Sequence, residues 1–446
     1  MSTPKKHRTE STGGIPLSPE AKLGGSGPSS GKLVGCANFK RHNPKSDRFK
    51  IIDFDHLELW TTDATSAARR FAAGFGMQMV AGTDVNNGNL KYSSYCLLSN
   101  DIRFVITAPY WSEAPPTTNS KFYDSFPAFN RDTALQFVQK HGLAGRAIGI
   151  KVENATAAYE RSVANGGTGV LPPVKITDEN GTITYSEVLL YQDVVLRFVE
   201  GRDSYKGKFI PGYVDSGRPE LNYGLLRIDH IVSNVPCLTD VTEHLIKMLG
   251  FHEFGEFIAE DVGTVDSGLN SMIVANNDEM VLMPVNEPTF GTRRKSQIQS
   301  FLEHNAGPGV QHIALQTKDI LSTVKMMLQQ SNWGGVEFLG NPGASYYNDH
   351  VPKKMGNLVD QKLIDDCAKY NILIDRDEEG GLLQIFTKPL PDRPTLFVEV
   401  IQRIGCPMPN GRQKPACGGF GKGNFGALFK SIEDLEKKRD GELPYM

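Results

Sequence analysis

The chain repeats itself, and the repeat limits its possible folds more than any other feature. Residues 51–77 read IIDFDHLELWTTDATSAARRFAAGFGM, and residues 225–251 read LLRIDHIVSNVPCLTDVTEHLIKMLGF. Each stretch opens with an alternating apolar segment that carries Asp-His, as Asp55–His56 and as Asp229–His230. Each then passes through a Thr/Asp cap into an amphipathic helix that ends at Gly76 or Gly250, 20 residues after the histidine in both. A second pair sets RAIGIKVENATAAYERSVANGG (146–167) against QHIALQTKDILSTVKMMLQQSNWGG (311–335), each a strand, a polar cap and a helix closed by Gly-Gly. A third sets VVLRFVEG (194–201) against TLFVEVIQ (395–402), both strand-like around Phe-Val-Glu. Self-similarity of this kind marks one supersecondary unit used more than once. The expected organisation is a tail over 1–45 and two copies of one unit, 46–205 and 206–446, each holding two strand–helix–strands modules.

Periodicity supplies the elements. Alternating β-branched and aromatic residues predict strands at 51–60, 103–109, 147–152, 183–200, 226–233, 271–284, 311–316, 381–388 and 395–403. Helices are predicted at 64–75, 131–141, 154–165, 239–249, 294–304, 318–330 and 357–369. A last one at about 425–438 puts Phe425, Leu428, Phe429, Ile432 and Leu435 on one face. The fold class is α+β, with open barrel-like sheets and helices outside.

Composition serves mainly to exclude. A net charge of −3 leaves no basic surplus for a phosphate backbone, so no nucleic-acid partner is expected. No apolar run reaches the ~18 residues of a membrane span. The first 45 residues are rich in Ser, Gly, Pro and Lys and read as a disordered tail. They lack an apolar h-region, and Glu10 and Glu20 break the acid-poor pattern of a transit peptide, so a cytoplasmic protein is expected, with the plastid as alternative. The six cysteines, Cys36, Cys96, Cys237, Cys367, Cys406 and Cys417, have no C-x-x-C pair and are expected as reduced thiols.

Overlaying the copies aligns His56, Ala147 and Glu200 with His230, His312 and Glu399. The C-terminal copy thus presents two imidazoles and a carboxylate, while the N-terminal copy lacks a donor at Ala147. Such a facial set leaves open octahedral positions, the arrangement of non-haem Fe(II) oxygenases. A chelating 2-oxo acid and dioxygen can fill them. Zinc accepts the same ligands, but its catalytic sets are usually tetrahedral with one open position. A carboxylate facing a core is costly unless a charge compensates it, and alternation puts Glu399 and Phe397 on one strand face. Other signals point nowhere. Gly421, Gly423 and Gly426 satisfy G-x-G-x-x-G, but no tight strand–turn–helix precedes them. His244, His252 and His304 are expected in solvent, and no nucleophile elbow is present.

These residues lie in motifs that carry a resemblance. DHIVSNV around His230, GLNS ending at Ser271, VNEP around Asn286 and RKSQIQ around Gln297 belong to it. So do GPGVQHIAL around His312, GGLLQIFTKP around Gln384 and Phe386, RPTLFVEVIQR around Glu399, and CGGFGKGNF before the last helix. With them the chain resembles the plant-type 4-hydroxyphenylpyruvate dioxygenases across nearly all its length beyond the tail. The resemblance implies the vicinal oxygen chelate fold of paired βαβββ modules and one Fe(II) per chain, held by His230, His312 and Glu399 in the C-terminal unit. It implies a substrate pocket of Ser271, Asn286, Gln297, Gln311 and Gln384 with aromatic walls at Phe386, Phe397, Phe420 and Phe425. Strict alternation turns Gln311 away from the face of His312, so its pocket role comes from the resemblance alone.

The resemblance further implies that the final helix covers the pocket mouth and that the chain forms a homodimer. The reaction it implies takes 4-hydroxyphenylpyruvate and O2 to homogentisate and CO2, within tyrosine breakdown and the supply of plastoquinone and tocopherol precursors. Hydroxymandelate synthases share the fold, metal and substrate but oxidise the benzylic carbon. The resemblance associates ring chemistry with a large aromatic at the position of Phe420.

Overall fold

The computed structural model describes residues 33–112, 124–127, 129–263, 268–291, 293–333, 335–340, 342–409 and 411–439. The first module runs β1 (Ile51–Trp60), α1 (Ala64–Phe75), β2 (Gln78–Thr83), β3 (Tyr92–Ser99) and β4 (Ile102–Pro109). After α2 (Arg131–His141) the second runs β5 (Ala144–Val152), α3 (Ala155–Ala164), β6 (Gly169–Asp178), β7 (Gly181–Tyr191) and β8 (Val194–Glu200), and a short β9 (Val214–Asp215) follows. The third comprises β10 (Leu225–Asn234), α4 (Leu238–Leu249), β11 (His252–Phe257), α5 (Ala259–Val262), β12 (Leu269–Ala275) and β13 (Leu282–Pro288). After α6 (Gln297–His304) come β14 (Gly309–Thr317), α7 (Ile320–Gln329), α8 (Val351–Met355) and α9 (Gln361–Lys369). β15 (Leu373–Arg376), β16 (Gly381–Phe386) and β17 (Phe397–Ile404) complete the fourth module, and α10 (Phe425–Arg439) ends the described chain.

The strands form a nine-stranded sheet, β6-β7-β8-β5-β1-β4-β3-β2-β9, and an eight-stranded sheet, β11-β12-β13-β10-β14-β17-β16-β15. Without β9 the two orders are the same. In each, two modules meet through an antiparallel central pair, β1 with β5 and β10 with β14. The first and last strands of each module run parallel, as β10 with β13 and β14 with β17. The repeat foretold the paired strand–helix–strands modules in open sheets, and the arrangement is the vicinal oxygen chelate fold that the resemblance implied.

Local chemistry explains the helices. α1 buries Ala64, Ala68, Phe71 and Phe75, and α4 buries Leu238, Val241, Leu245, Met248 and Leu249, one apolar stripe each. Gly76 and Gly250 close these helices in left-handed conformation, at φ 62° and 81°. Asp63 caps α1 by accepting from the Ser66 amide. The expected Thr/Asp cap is absent from α4, where Glu287 of β13 accepts from the Leu238 amide instead, at 2.9 Å. One apolar core, with Phe71, Phe75 and Phe198 at one side and Leu245, Val324 and Met327 at the other, runs continuously between the two sheets.

Several expectations need correction. The run 183–200 is two strands that turn at Gln192, a non-glycine residue at φ 46°, and the run 271–284 is likewise two. Short polar turns, Gln192–Asp193 in the first and Asn276–Glu279 in the second, divide the apolar runs into hairpins. β2, β3, β6, β11 and β15 carried too little alternation to be found. Cys406 and Cys417 form a disulfide with 6.1 Å between their Cα atoms, because the loop after β17 doubles back, while Cys36, Cys96, Cys237 and Cys367 are free. His252, expected in solvent, is buried with its Nε2 3.3 Å from Glu279. Of the expected disordered tail, 1–32 lies outside the described residues, whereas 33–45 is laid along the C-terminal unit. There the Cys36 amide donates to Asp261 at 2.8 Å, and Arg41 pairs with Glu279 and lies 3.9 Å over the Phe254 ring.

Ser46 continues this strap by donating from its hydroxyl to the Gly250 carbonyl at 2.8 Å. A Cβ on Gly250 would stand 2.0 Å from the Ser46 carbonyl oxygen, at a φ that side chains rarely adopt. Gly250→Ala is therefore expected to lower unfolding free energy by at least ~2 kcal/mol in a urea titration. A change below ~0.5 kcal/mol would mean that the strap is not seated on the end of α4.

Candidate metal centre and pocket

The interior of the C-terminal half-barrel is polar at its centre, for a reason set by two irregularities in strand pairing. On β10 the register slips between Ile228 and His230, and on β14 the pairs Val232–His312 and Ser233–Val310 leave Gln311 without a direct partner. Each slip is a β-bulge, which turns two consecutive side chains toward the same side. So Asp229 reaches the Nδ1 of His230 at 2.8 Å, and Gln311 Oε1 accepts from the Nδ1 of His312 at 2.9 Å. The pocket place of Gln311, which alternation denied it, follows from this bulge. A polar line continues outward, with Asn286 Nδ2 donating to Gln311 at 3.4 Å and to Asn234 at 3.1 Å.

With both Nδ1 atoms engaged, the two Nε2 atoms are free to face a third group. Glu399 of β17 supplies it: its Oε2 lies 3.2 Å from His230 Nε2 and 3.5 Å from His312 Nε2. One ligand atom from each of the three residues falls within 4.8 Å of the others, the only such cluster among the described residues. Gln384 donates to the second oxygen, Oε1, at 3.1 Å and leaves Oε2 for the common centre. Those separations suit donors sharing one divalent cation at ~2.0–2.2 Å, and imidazoles oriented by outer acceptors are the usual form of metal-ligating histidine.

The charge balance agrees. Burial favours a neutral Glu399, but hydrogen bonds and charge from His230 and His312 hold its carboxyl below the ordinary value. Burial also disfavours a charged His230, yet Asp229 and Glu399 outweigh it and raise that imidazole. His312 lacks a second carboxylate, and burial leaves it lowered. A buried carboxylate kept ionised beside two imidazoles is a site prepared for a cation.

Around this centre lies one cavity, lined by every candidate residue of the sequence analysis: His230, His312 and Glu399, the polar Ser271, Asn286, Gln297, Gln311 and Gln384, and the aromatic Phe386, Phe397, Phe420 and Phe425. Phe397 stacks on His312, with centroids 4.8 Å apart and planes 17° apart, and Phe420 meets the edge of His230 at 5.1 Å. Gln297 Nε2 is buried without a hydrogen-bond partner, a polar atom left for a ligand. Sequence reasoning missed Asn424, which donates to Gln384 Oε1 at 3.2 Å and accepts from the Tyr346 hydroxyl at 2.7 Å. Its signal was its place inside the quoted glycine-rich motif. It also missed the apolar Val232, Ile273 and Pro284, which no spacing rule separates from ordinary core. Leu428, Phe429 and Ile432 of α10 close the outer side, the face that periodicity assigned to that helix.

No family model matches the sequence. Curated relatives do. A 4-hydroxyphenylpyruvate dioxygenase of Arabidopsis thaliana is 48% identical over 420 residues, 91% of this chain and 93% of that protein. One of Plectranthus scutellarioides is 49% identical over 424 residues, 93% of this chain and 96% of that protein. A fungal one, of Pyricularia oryzae, is 35% identical over 398 residues, 86% and 90% of the two chains. This chain belongs to the 4-hydroxyphenylpyruvate dioxygenase family. Among solved structures, a mutant 4-hydroxymandelate synthase of Streptomyces coelicolor superposes with a TM-score of 0.68 at 22% identity, over 87% of this chain and 99% of that one. A fusion of a xylose isomerase-like TIM barrel with a 4-hydroxyphenylpyruvate dioxygenase gives 0.62 at 20% identity, over 87% of this chain and 53% of that one. These likenesses establish the fold.

Within this dioxygenase-family chain, the N-terminal half-barrel keeps the frame of the centre and changes its charge. His56 Nδ1 lies 2.6 Å from Asp55, and Arg202 grips Asp55 at 2.7 and 3.0 Å. The pairing Gly149–Arg197 corresponds to Ala314–Glu399, so Arg197 and not Glu200 stands opposite the acidic ligand. The expected alignment was three residues out, because Phe-Val-Glu recurs in both strands at different registers. Glu200 instead accepts from the Ala155 amide at the start of α3, as Gln402 does from Ile320 at the start of α7, both at 2.9 Å. The Arg197 guanidinium touches His56 Nε2 at 3.0 Å, Glu58 at 2.7 Å and Glu187 at 2.8 Å. Burial alone would lower its proton affinity; the two carboxylates raise it. A fixed side-chain cation thus holds the place where the other unit presents Glu399. Arg197→Met should cost ~3–5 kcal/mol in denaturant unfolding, since it strands Glu58 and Glu187 without a counter-charge, and should leave metal uptake by the folded protein unchanged. A loss under ~1 kcal/mol would refute that role.

Proposed function

We propose that this chain is an iron(II)-dependent enzyme that converts 4-hydroxyphenylpyruvate and O2 to homogentisate and CO2. His230, His312 and Glu399 would hold the metal. The observation that carries the reading is the convergence of these three donors at the floor of a pocket walled by phenylalanines, in a chain 48% identical to a named dioxygenase of this activity. Bound there, iron(II) would supply the redox chemistry with dioxygen that decarboxylation of a 2-oxo acid and ring hydroxylation require.

The protein's own part is to bind, orient and exclude. Gln384 holds Glu399 by one oxygen, which keeps the other directed at the centre. Phe386 and Phe397 meet edge to face, with centroids 6.2 Å apart and planes at 73°, and give the pocket a rigid aromatic wall for a ring to lie against. Gln297, with its unpartnered amide, and Ser271 and Asn286 offer neutral hydrogen-bonding groups for a phenol without placing a further charge beside the metal. Phe420, Phe425 and α10 keep water from the reacting centre. Among the described residues no helix is long and apolar enough to cross a membrane. A homodimer acting in tyrosine breakdown, in the cytoplasm or alternatively the plastid, completes the reading and rests on membership of the family.

Anaerobic loading with Fe(II), followed by substrate and oxygen, should yield homogentisate only in the presence of iron, by chromatography. 4-Hydroxymandelate as product would replace this reaction with benzylic oxidation. His312→Ala and Glu399→Ala should each abolish tight iron binding, and one retained iron per folded chain would overturn the ligand set. Light scattering should give twice the chain mass of 49.1 kDa; a single-chain mass would remove the dimer.

A further inference from the structure

Arg403 lies behind His230, on the side away from the common centre, with its guanidinium 5.7 Å from the centroid of the Phe420 ring. It is 3% exposed, with its guanidinium spread between the seat of His230 and the loop that carries Phe420. Its Nε and Nη2 donate to Asp229 at 2.8 and 2.6 Å, and Asp229 in turn holds His230. Its Nη1 donates to the carbonyls of Cys417 and Gly419 at 2.7 and 2.8 Å. Those carbonyls belong to the glycine-rich loop that carries Phe420 across the ring of His230 and leads into α10. Gly418, Gly419 and Gly421 run through this loop at φ 81°, 74° and 71°, and the two Arg403 contacts fix its first part, while Asp375 and Gln384 hold its end through Gly423 and Asn424.

We propose that Arg403 is a positioning residue that couples the seat of His230 to the root of α10, so that filling the metal centre orders the pocket cover. The proposal rests on the metal reading of His230, His312 and Glu399. A rigid planar fork suits the task, because it engages a carboxylate bidentately and still directs its remaining hydrogens at a second surface; a lysine cannot do both.

The N-terminal unit is an internal control. Arg202 holds Asp55 in the same bidentate way and donates to the carbonyl of Phe209, whose ring meets His56 at 5.5 Å. That unit keeps the arginine–aspartate–histidine–phenylalanine frame, yet Arg197 occupies its centre and no covering helix follows Phe209. The frame therefore belongs to the fold, and what is particular to Arg403 is its pair of contacts to the loop of the cover.

The test uses the full chain, Mn(II) as probe, hydrogen exchange of amides 417–430, and calorimetric metal titration. In the unmodified protein Mn(II) should slow exchange in this segment about tenfold or more. Arg403→Lys should weaken Mn(II) binding by about 10–100-fold and, at saturating metal, remove that protection. Arg202→Lys should change neither reading. Mn(II) binding without protection of 417–430 in the unmodified protein would overturn the coupling without recourse to any variant. Protection that persists in folded Arg403→Lys would overturn the role of Arg403. Failure of the unmodified protein to bind Mn(II), with His312→Ala indistinguishable from it, would bring down the metal reading and this proposal together.

Discussion

Each half-barrel buries carboxylates at its centre, and the rest of the architecture is arranged around the need to compensate them. Asp55 and Asp229 are fully buried, and either would destabilise the fold by several kcal/mol if left ionised without a partner. Arg202 and Arg403 answer them with bidentate contacts. Inside that layer the two units diverge. The N-terminal one balances Glu58 and Glu187 with the guanidinium of Arg197, so its centre is closed by the chain itself. The C-terminal one sets Glu399 between two imidazoles and places no guanidinium or ammonium against it, which leaves the common centre open to a bound cation. The capacity for a metal is thus a difference in where a positive charge is stored.

Strand irregularity turns that balance into geometry. A regular strand would send Asp229 and His230 to opposite faces, and Gln311 and His312 likewise. The bulges on β10 and β14 bring both pairs to one side, so each histidine is oriented by its own sequence neighbour. Orientation from an adjacent residue is short and rigid, which leaves the Nε2 atoms directed at the centre without help from distant loops. Gln384 does the same for Glu399 from the neighbouring strand β16.

The outer parts act on access. Phe386 and Phe397 rise from β16 and β17 as walls, and Phe420, Phe425 and α10 come from the last segment of the chain. The N-terminal strap reaches the same rim, since Arg41 stacks on Phe254, Phe254 meets Phe420 at 5.9 Å, and Lys422 pairs with Asp261 beside the strap. Both ends of the described chain therefore converge on the pocket that its middle builds.

The amino-acid sequence by itself determined the two-unit organisation, the helix ends at Gly76 and Gly250 and the three candidate metal ligands, because repetition, backbone freedom and donor chemistry are properties of local residue types. The polar and aromatic pocket residues came from the resemblance its motifs carry to the family, not from periodicity or spacing. Four matters were decided only by tertiary structure. The counterpart of Glu399 is Arg197, since strand register depends on pairing and not on the likeness of Phe-Val-Glu. Gln311 turns inward because of a bulge that pairing alone reveals. Cys406 meets Cys417, and residues 33–46 find their seat, through folding back of loops that carry no periodic signal. Arg403 gains its importance in the same way: as one arginine in a strand it says nothing, and only the approach of the 417–419 loop to Asp229 makes it the link between them.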